Sequence, residues 1–264
     1  MCAMSESTRI IVNGAAGRMG RAVSHVIAGA ADVVLAAALV RPGSAMQATP
    51  TGYASAPAYV SEVPATMAFD VLVDVSGAAG FDAALRLAVE RSVAFVSGST
   101  GLDALQMQAL HRAAEDIPVL WAANFSVGVA VLAHLVGEAA RLLPDWDIEI
   151  IEAHHRHKRD APSGTALMLG QRAAFARDID FADSATDRCG PRSTGSIGFA
   201  VSRGGDVIGE HEVRLLGSGE RIELVHRAAD REIFARGAVK AASWLARQAP
   251  GRYLMTDMLG LGRA

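Results

Sequence analysis

A short apolar strand at residues 9–13 runs directly into Gly14-Ala15-Ala16-Gly17-Arg18-Met19-Gly20, after which Ala22, Val23, Val26 and Ile27 recur at helical spacing. Strand, glycine turn and helix in that order restrict what the chain can fold into more than any other feature. In such a turn Gly14 and Gly17 let the backbone fold tightly and approach a pyrophosphate, while Gly20 lets helix and strand pack closely. The helix start adds N–H groups and the positive end of its dipole. The spacing is G-x-x-G-x-x-G, not the commoner G-x-G-x-x-G, so position carries the reading as much as pattern does. A plain strand–helix turn is the other reading of the glycines.

From here strands and helices alternate. Residues 33–40 form a continuous apolar run suited to a parallel strand buried on both faces. Further strands are expected at 69–75, 93–97 and 117–121, separated by helices over 81–90 and 103–115, the pattern of an open parallel sheet. Residues 41–65, rich in Pro, Gly, Ser and Thr, read as an irregular surface excursion. Beyond Asn124 the pattern changes to a helix over 127–143 and longer alternating strands at 148–153, 197–201, 210–216 and 221–226. The last two flank Gly217-Ser218-Gly219, a hairpin signal. A final helix from 230 or 231 to 245 precedes a tail, 253–261, that should return to the first domain. The fold class is therefore α/β: a Rossmann-like parallel-sheet dinucleotide-binding domain over 1–124, completed by 231–264, plus an α+β domain with a mostly antiparallel open sheet over 125–230.

At 264 residues the chain can bury a large core. Its net charge of −3, from 25 basic and 28 acidic residues, gives no electrostatic footprint for nucleic acid, so a small molecule is the expected partner. Cys2 and Cys189 offer neither a disulfide framework nor metal-ligand spacing, which points to a reducing cytoplasm and no metal. The first eight residues lack the features of a secretory signal. No apolar run approaches the ~18 residues of a membrane span, so no membrane partner is expected.

The second strand ends Ala38-Leu39-Val40-Arg41, without the acidic residue that normally holds the adenosine ribose. Arg41 suits the extra 2′-phosphate of NADP, the other reading being a solvated arginine. Two more strand ends, Gly98-Ser99-Thr100-Gly101 and Ala122-Ala123-Asn124-Phe125, fall on the carboxyl side of the sheet, where open α/β sheets bind ligands; they could also be ordinary helix entries. The densest chemistry lies in Glu152-Ala-His-His-Arg-His-Lys-Arg-Asp-Ala-Pro-Ser-Gly-Thr165. Three histidines and a lysine there leave the end of a strand and meet a Ser-Gly-Thr helix start, an arrangement able to hold a carboxylate and move protons. A solvated polar loop is the plain alternative.

With these motifs the chain resembles the 4-hydroxy-tetrahydrodipicolinate reductase (dihydrodipicolinate reductase) family of lysine and diaminopimelate biosynthesis, over nearly its whole length. The resemblance implies that His154 is the catalytic acid/base, and that Lys158 donates a proton and holds a substrate carboxylate. It implies that His155 contacts the substrate and that Gly164 and Thr165 bind a carboxylate. Along the dinucleotide it implies Gly14, Ala15, Ala16, Gly17, Arg18, Met19, Arg41, Gly98, Ser99, Thr100, Ala122, Ala123, Asn124 and Phe125. Arg231 and Phe234 correspond to a region near the interdomain cleft. The implied cofactors are NADPH and NADH, the implied substrate is a small dicarboxylate, and the implied assembly is a homotetramer in the cytoplasm. Val40 departs from the family's usual acidic residue, so NADPH is expected to be preferred. The loop Val75-Ser76-Gly77-Ala78-Ala79 departs too, where relatives usually show Thr or Ser followed by a Pro- or His-containing turn. Two rivals stand beside this reading: a reductase of another imino or keto acid, and a dinucleotide-binding sensor without catalysis.

Overall fold

The computed structural model describes residues 7–181 and 190–261. Cys2 and Cys189 lie outside them. The chain resolves into two compact units, residues up to Phe125 together with Glu232–Leu259, and Ser126–Arg231 together with the segment from Gly260, which the expected domain over 1–124 and 231–264 places in the first.

The first unit is built on β1 (Thr8–Asn13), α1 (Arg18–Ala28), β2 (Val33–Leu39), β3 (Pro50–Tyr53), β4 (Ala56–Val60), β5 (Val71–Asp74), α2 (Ala78–Glu90), β6 (Ala94–Ser97), α3 (Ala104–Ala113) and β7 (Pro118–Trp121). A further short strand from the end of the chain, β12 (Gly251–Tyr253), completes its eight-stranded sheet. The order is β12-β7-β6-β5-β1-β2-β4-β3, parallel except for the β3–β4 pair. Strands β5 and β6 are buried at every position, which is why they read as continuous apolar runs without alternation. Ile11, Leu72, Phe81, Phe95 and Val119 join in one core, with Phe81 and Phe95 edge to face at 5.7 Å. Fully burying side chains of this size contributes about 1.5–3 kcal/mol each. Helix α3 begins with a capping box, Asp103 accepting from the Gln106 N–H at 2.8 Å and Gln106 accepting from the Asp103 N–H.

Residues 41–65 correct the expectation of an irregular excursion. They contain β3 and β4, and β4 extends the sheet beside β2 through Ala38↔Tyr59 and Leu39↔Val60. Four- and five-residue strands broken by Gly52 and a tight turn carry too little periodicity to be seen in sequence.

The second unit holds α4 (Val127–Leu142), β8 (Asp147–His154), α5 (Gly164–Ala176), β9 (Ile197–Arg203), β10 (Glu210–Leu216) and β11 (Arg221–Arg227). Its sheet order is β11-β10-β8-β9; the two pairs involving β10 are antiparallel, and β8–β9, crossed over by α5, is parallel. Helices α4 and α5 cover the face carrying Ile148, Ile150, Phe199, Val213 and Leu215. Among the described residues no helix covers the other face, which carries Glu149, Ile151, Glu212, Arg214 and Val225.

The chain then returns to the first unit. Helix α6 (Glu232–Leu245) packs on β5, β6 and β7 through a small-residue face including Ala235, Ala238, Ala241 and Ala242. Strand β12 pairs in parallel with the edge of β7, and α7 (Met255–Met258) comes last. No described helix is long and apolar enough to cross a membrane.

Candidate active site

In β8 every second side chain faces the helices, and the apolar series Ile148, Ile150 continues as Glu152 and His154. Register then supplies partners from both neighbours: His154 lies opposite Arg203 of β9, and Glu152 opposite His211 of β10. The polar cluster is thus the end of the same sheet face whose other end is the hydrophobic core.

Glu152 is completely buried and accepts four hydrogen bonds. Arg203 grips it bidentately, Nη1 to Oε2 and Nη2 to Oε1, both at 2.7 Å. The Ser163 N–H donates to Oε1 at 2.9 Å, and His154 Nδ1 meets Oε2 at 2.6 Å. Burial would raise the Glu152 carboxyl, but the bonds from Arg203, His154 and Ser163 outweigh it and hold the group below the usual carboxylate range. A carboxylate in that state only accepts, so Nδ1 of His154 must carry a hydrogen. Its Nε2 is left as the nitrogen that takes up or gives away a proton.

His154 is 8% exposed, and its ring meets that of His211 edge to face at 5.2 Å. His211 is buried, and desolvation, followed by the proximity of His154, pushes it down to about 4, so it is neutral near pH 7. Its Nε2 pairs with Ser163 Oγ at 3.0 Å while that hydroxyl caps α5 by accepting from the Ala166 N–H at 3.2 Å. Glu152 and His211 together fix the start of α5, where Gly164 and Thr165 form the first turn.

Lys158 sits on the loop after β8, its Nζ 2.9 Å from Asp160, whose carboxyl is lowered by that contact. His155 is pushed down by desolvation and then by Arg231, His157, His154 and Lys158. Basic side chains on this side of the unit, Lys158 and Arg231 among them, suit an anion. His157 is exposed. The structure therefore brings His154, His155, Lys158, Gly164 and Thr165 into one region of the second unit. The sequence pattern does not single out Arg203 or the clamp it makes on Glu152. It leaves the role of His211 open, although the alternation His211, Val213, Leu215 already signals an inward side chain.

In the first unit Gly14 adopts φ +78°, and a Cβ there would lie 2.8 Å from Ser76 Cα. A Cβ on Gly20 would come within 2.2 Å of the Gly14 carbonyl oxygen. Gly17 precedes α1, whose start has neither a side-chain cap nor an acidic residue in its first turn. A tight, uncapped helix start with Arg18 and Met19 in its first turn fits a pyrophosphate. Ala15 donates its N–H to Leu39 and is a structural link between β1 and β2. Val40 is buried and bonded to Val60, and Arg41 beside it is exposed. Gly98-Ser99-Thr100 and Ala122 to Phe125 come after β6 and β7 at the same edge of the sheet.

A parallel sheet opened by a glycine turn, joined in one chain to a unit carrying a buried acid–base cluster, is the plan of a nicotinamide-dinucleotide-dependent oxidoreductase. Family models described as dihydrodipicolinate reductase, N-terminus and C-terminus, match residues 8–125 and 128–259. The chain belongs to the dihydrodipicolinate reductase family. It is 47% identical over 260 residues to 4-hydroxy-tetrahydrodipicolinate reductase of Zymomonas mobilis, covering 97% of this chain and 98% of that protein. The enzyme of the same name from Stenotrophomonas maltophilia K279a is 45% identical over 251 residues, covering 95% and 97%. Among solved structures, a dipicolinate-bound dihydrodipicolinate reductase from Paenisporosarcina sp. TG-14 matches the fold with a TM-score of 0.78 at 23% identity, covering 95% of this chain and 98% of that one.

Proposed function

We propose that this chain reduces 4-hydroxy-tetrahydrodipicolinate to tetrahydrodipicolinate with NADPH as the preferred cofactor. The observation that carries the reading is the Glu152–His154 pair, a buried carboxylate that fixes the histidine's tautomer. The bound reduced nicotinamide supplies the hydride. The protein's own residues hold the dianion and deliver the proton, so that one hydride and one proton are taken up and the 4-hydroxyl leaves as water. Lys158, shared with Asp160, and the α5 start at Gly164 and Thr165 take the carboxylates, with His155 against the substrate. In its imidazolium form His154 gives up the Nε2 proton and becomes neutral while Nδ1–H stays on Glu152. Gly14 to Met19, Arg41, Gly98 to Thr100 and Ala122 to Phe125 are the residues assigned to the dinucleotide.

One set of assays tests both substrate and cofactor. Purified protein should oxidise NADPH only when freshly generated product of the dihydrodipicolinate synthase reaction is added; no turnover with either cofactor sinks the assignment. Without an acid at Val40 nothing repels a 2′-phosphate, and a charge-assisted bond from Arg41 contributes roughly 1.5–3 kcal/mol, about ten- to a hundredfold in affinity. Val40→Glu should restore NADH use, and Arg41→Ala should weaken NADPH and leave NADH nearly unchanged. Tighter NADH binding by the wild type would move the adenosine pocket to other residues, with β3 and β4 the nearest candidates.

The open face of the second sheet, where Glu212, Arg214 and Glu223 stand beside Ile151 and Val225, supports pairing of subunits into a homotetramer. The cytoplasm is its expected place. Light scattering should give a mass of four chains, and a monomer at micromolar concentration would refute the assembly.

A further inference from the structure

We infer that Asp74 is a positioning residue that sets the dinucleotide crevice before any cofactor arrives; this rests on the reading that the first unit binds NADPH. Asp74 ends β5 in the middle of the parallel sheet and is completely buried. Among the described residues no basic side chain pairs with it. Instead it collects neutral donors from three strand ends. Asn13 Nδ2 of β1 donates to Oδ1 at 2.9 Å, as do the Ser76 hydroxyl at 2.6 Å and the Ser76 N–H at 3.2 Å. The Ser97 and Ser99 hydroxyls donate to Oδ2 at 3.0 and 2.6 Å.

Each donor belongs to, or adjoins, a loop assigned to the cofactor. Ser76 lies backbone to backbone against Gly14 of the glycine turn. Ser99 Oγ, while donating to Asp74, accepts the Gly77 N–H at 2.9 Å, and the Ser99 carbonyl accepts from Trp121 Nε1 at 2.8 Å. Gly98 touches the Phe125 ring, against which a Cβ would come within 2.6 Å. One carboxyl group thereby joins the turn after β1, the loop after β5 and the loop after β6. A buried polar hub of this kind is costly where an apolar side chain could pack, and a fully satisfied network fixes one arrangement of its members. It also accounts for the divergent Ser76-Gly77 loop: Ser76 supplies two of the five bonds, and Gly77, at φ +80°, delivers its N–H to Ser99.

Asp74→Asn keeps the size of the side chain but turns an NH2 toward hydroxyls that now donate. NADPH binding by fluorescence titration should weaken by about tenfold or more, with kcat at saturating NADPH within about threefold of the wild type. Leu72→Ala, a cavity in the same buried strand, should lower the melting temperature and leave NADPH affinity within about threefold. Asp74→Asn binding within threefold of the wild type overturns the inference, as does Leu72→Ala loosening NADPH equally. If Asp74→Asn does not fold, Ser76→Ala removes the hydroxyl that donates to Asp74 and accepts from Asn13 Nδ2, and should weaken NADPH by about threefold or more; unchanged affinity there overturns it too. A wild type that binds neither dinucleotide overturns this inference together with the reading it rests on, whereas tight wild-type binding with an indifferent Asp74 overturns this one alone.

Discussion

Glu152→Gln is expected to cut turnover by about two orders of magnitude or more, the same class of loss as His154→Ala and Lys158→Ala, because the latter two remove the proposed general acid and charge clamp and the first takes away the group that orients the acid. The glutamine is nearly isosteric, so the effect isolates chemistry from shape. Each carboxylate oxygen of Glu152 accepts two donors, Oε1 from Arg203 and Ser163, Oε2 from Arg203 and His154. Whichever way the amide turns, its NH2 faces two N–H groups. With the NH2 toward His154 the ring must leave its position or change tautomer; with it toward Ser163 the start of α5 and the Arg203 clamp are displaced instead. NADPH affinity, which the proposed reading assigns to the glycine turn, should survive in all three variants. Steady-state turnover with saturating substrate and cofactor, set beside NADPH titration, separates the two effects. Near-wild-type turnover in Glu152→Gln would remove the carboxylate from the mechanism.

Acidification should destabilise the protein well before its carboxylates titrate. His211 is held near 4 in the folded chain, mainly by desolvation, against about 6.5 when unfolded. The unfolded chain therefore takes up a proton between about pH 6.5 and 4 that the folded chain refuses, so stability falls as pH is lowered through that window. A shift of this size corresponds to about 3 kcal/mol, as an order of magnitude. Glu152 acts in the same direction at lower pH: its folded value is depressed too, so its contribution is lost as pH falls from the ordinary carboxylate value through the folded one. His211→Gln, which keeps a polar partner for Ser163, should flatten the melting temperature between pH 6.5 and 4. An unchanged slope would assign the acid sensitivity to other groups.

Much of the fold and of the candidate site is legible in the chain itself because the informative signals are local. The glycine turn, the buried strands of the first sheet and the run from Glu152 to Thr165 all place their residues within one or two elements. The features hidden from sequence depend on register. Arg203 reaches Glu152 from 51 positions away because β9 runs parallel to β8 with His154 opposite Arg203. His211 meets Ser163 across 48 positions through the β8–β10 pairing. Asp74 reads as an ordinary strand end, since its donors come from strands whose order in the sheet no periodicity specifies. Strands β3, β4 and β12 stay hidden because elements of three to five residues at a sheet's edge have too few positions to show a pattern.

The return of the chain through α6 has a consequence for synthesis. The second unit comes almost entirely from one stretch, Ser126–Arg231, whereas the first lacks the helix that covers β5, β6 and β7 until Leu245 has been made. On the ribosome the unit encoded first is thus completed last, with a bare apolar sheet waiting on roughly a hundred intervening residues at about 5–20 residues per second. Nascent-chain proteolysis should find the inserted unit protected while the amino-terminal unit is still open to cleavage. That interval is when a chaperone would have most to hold.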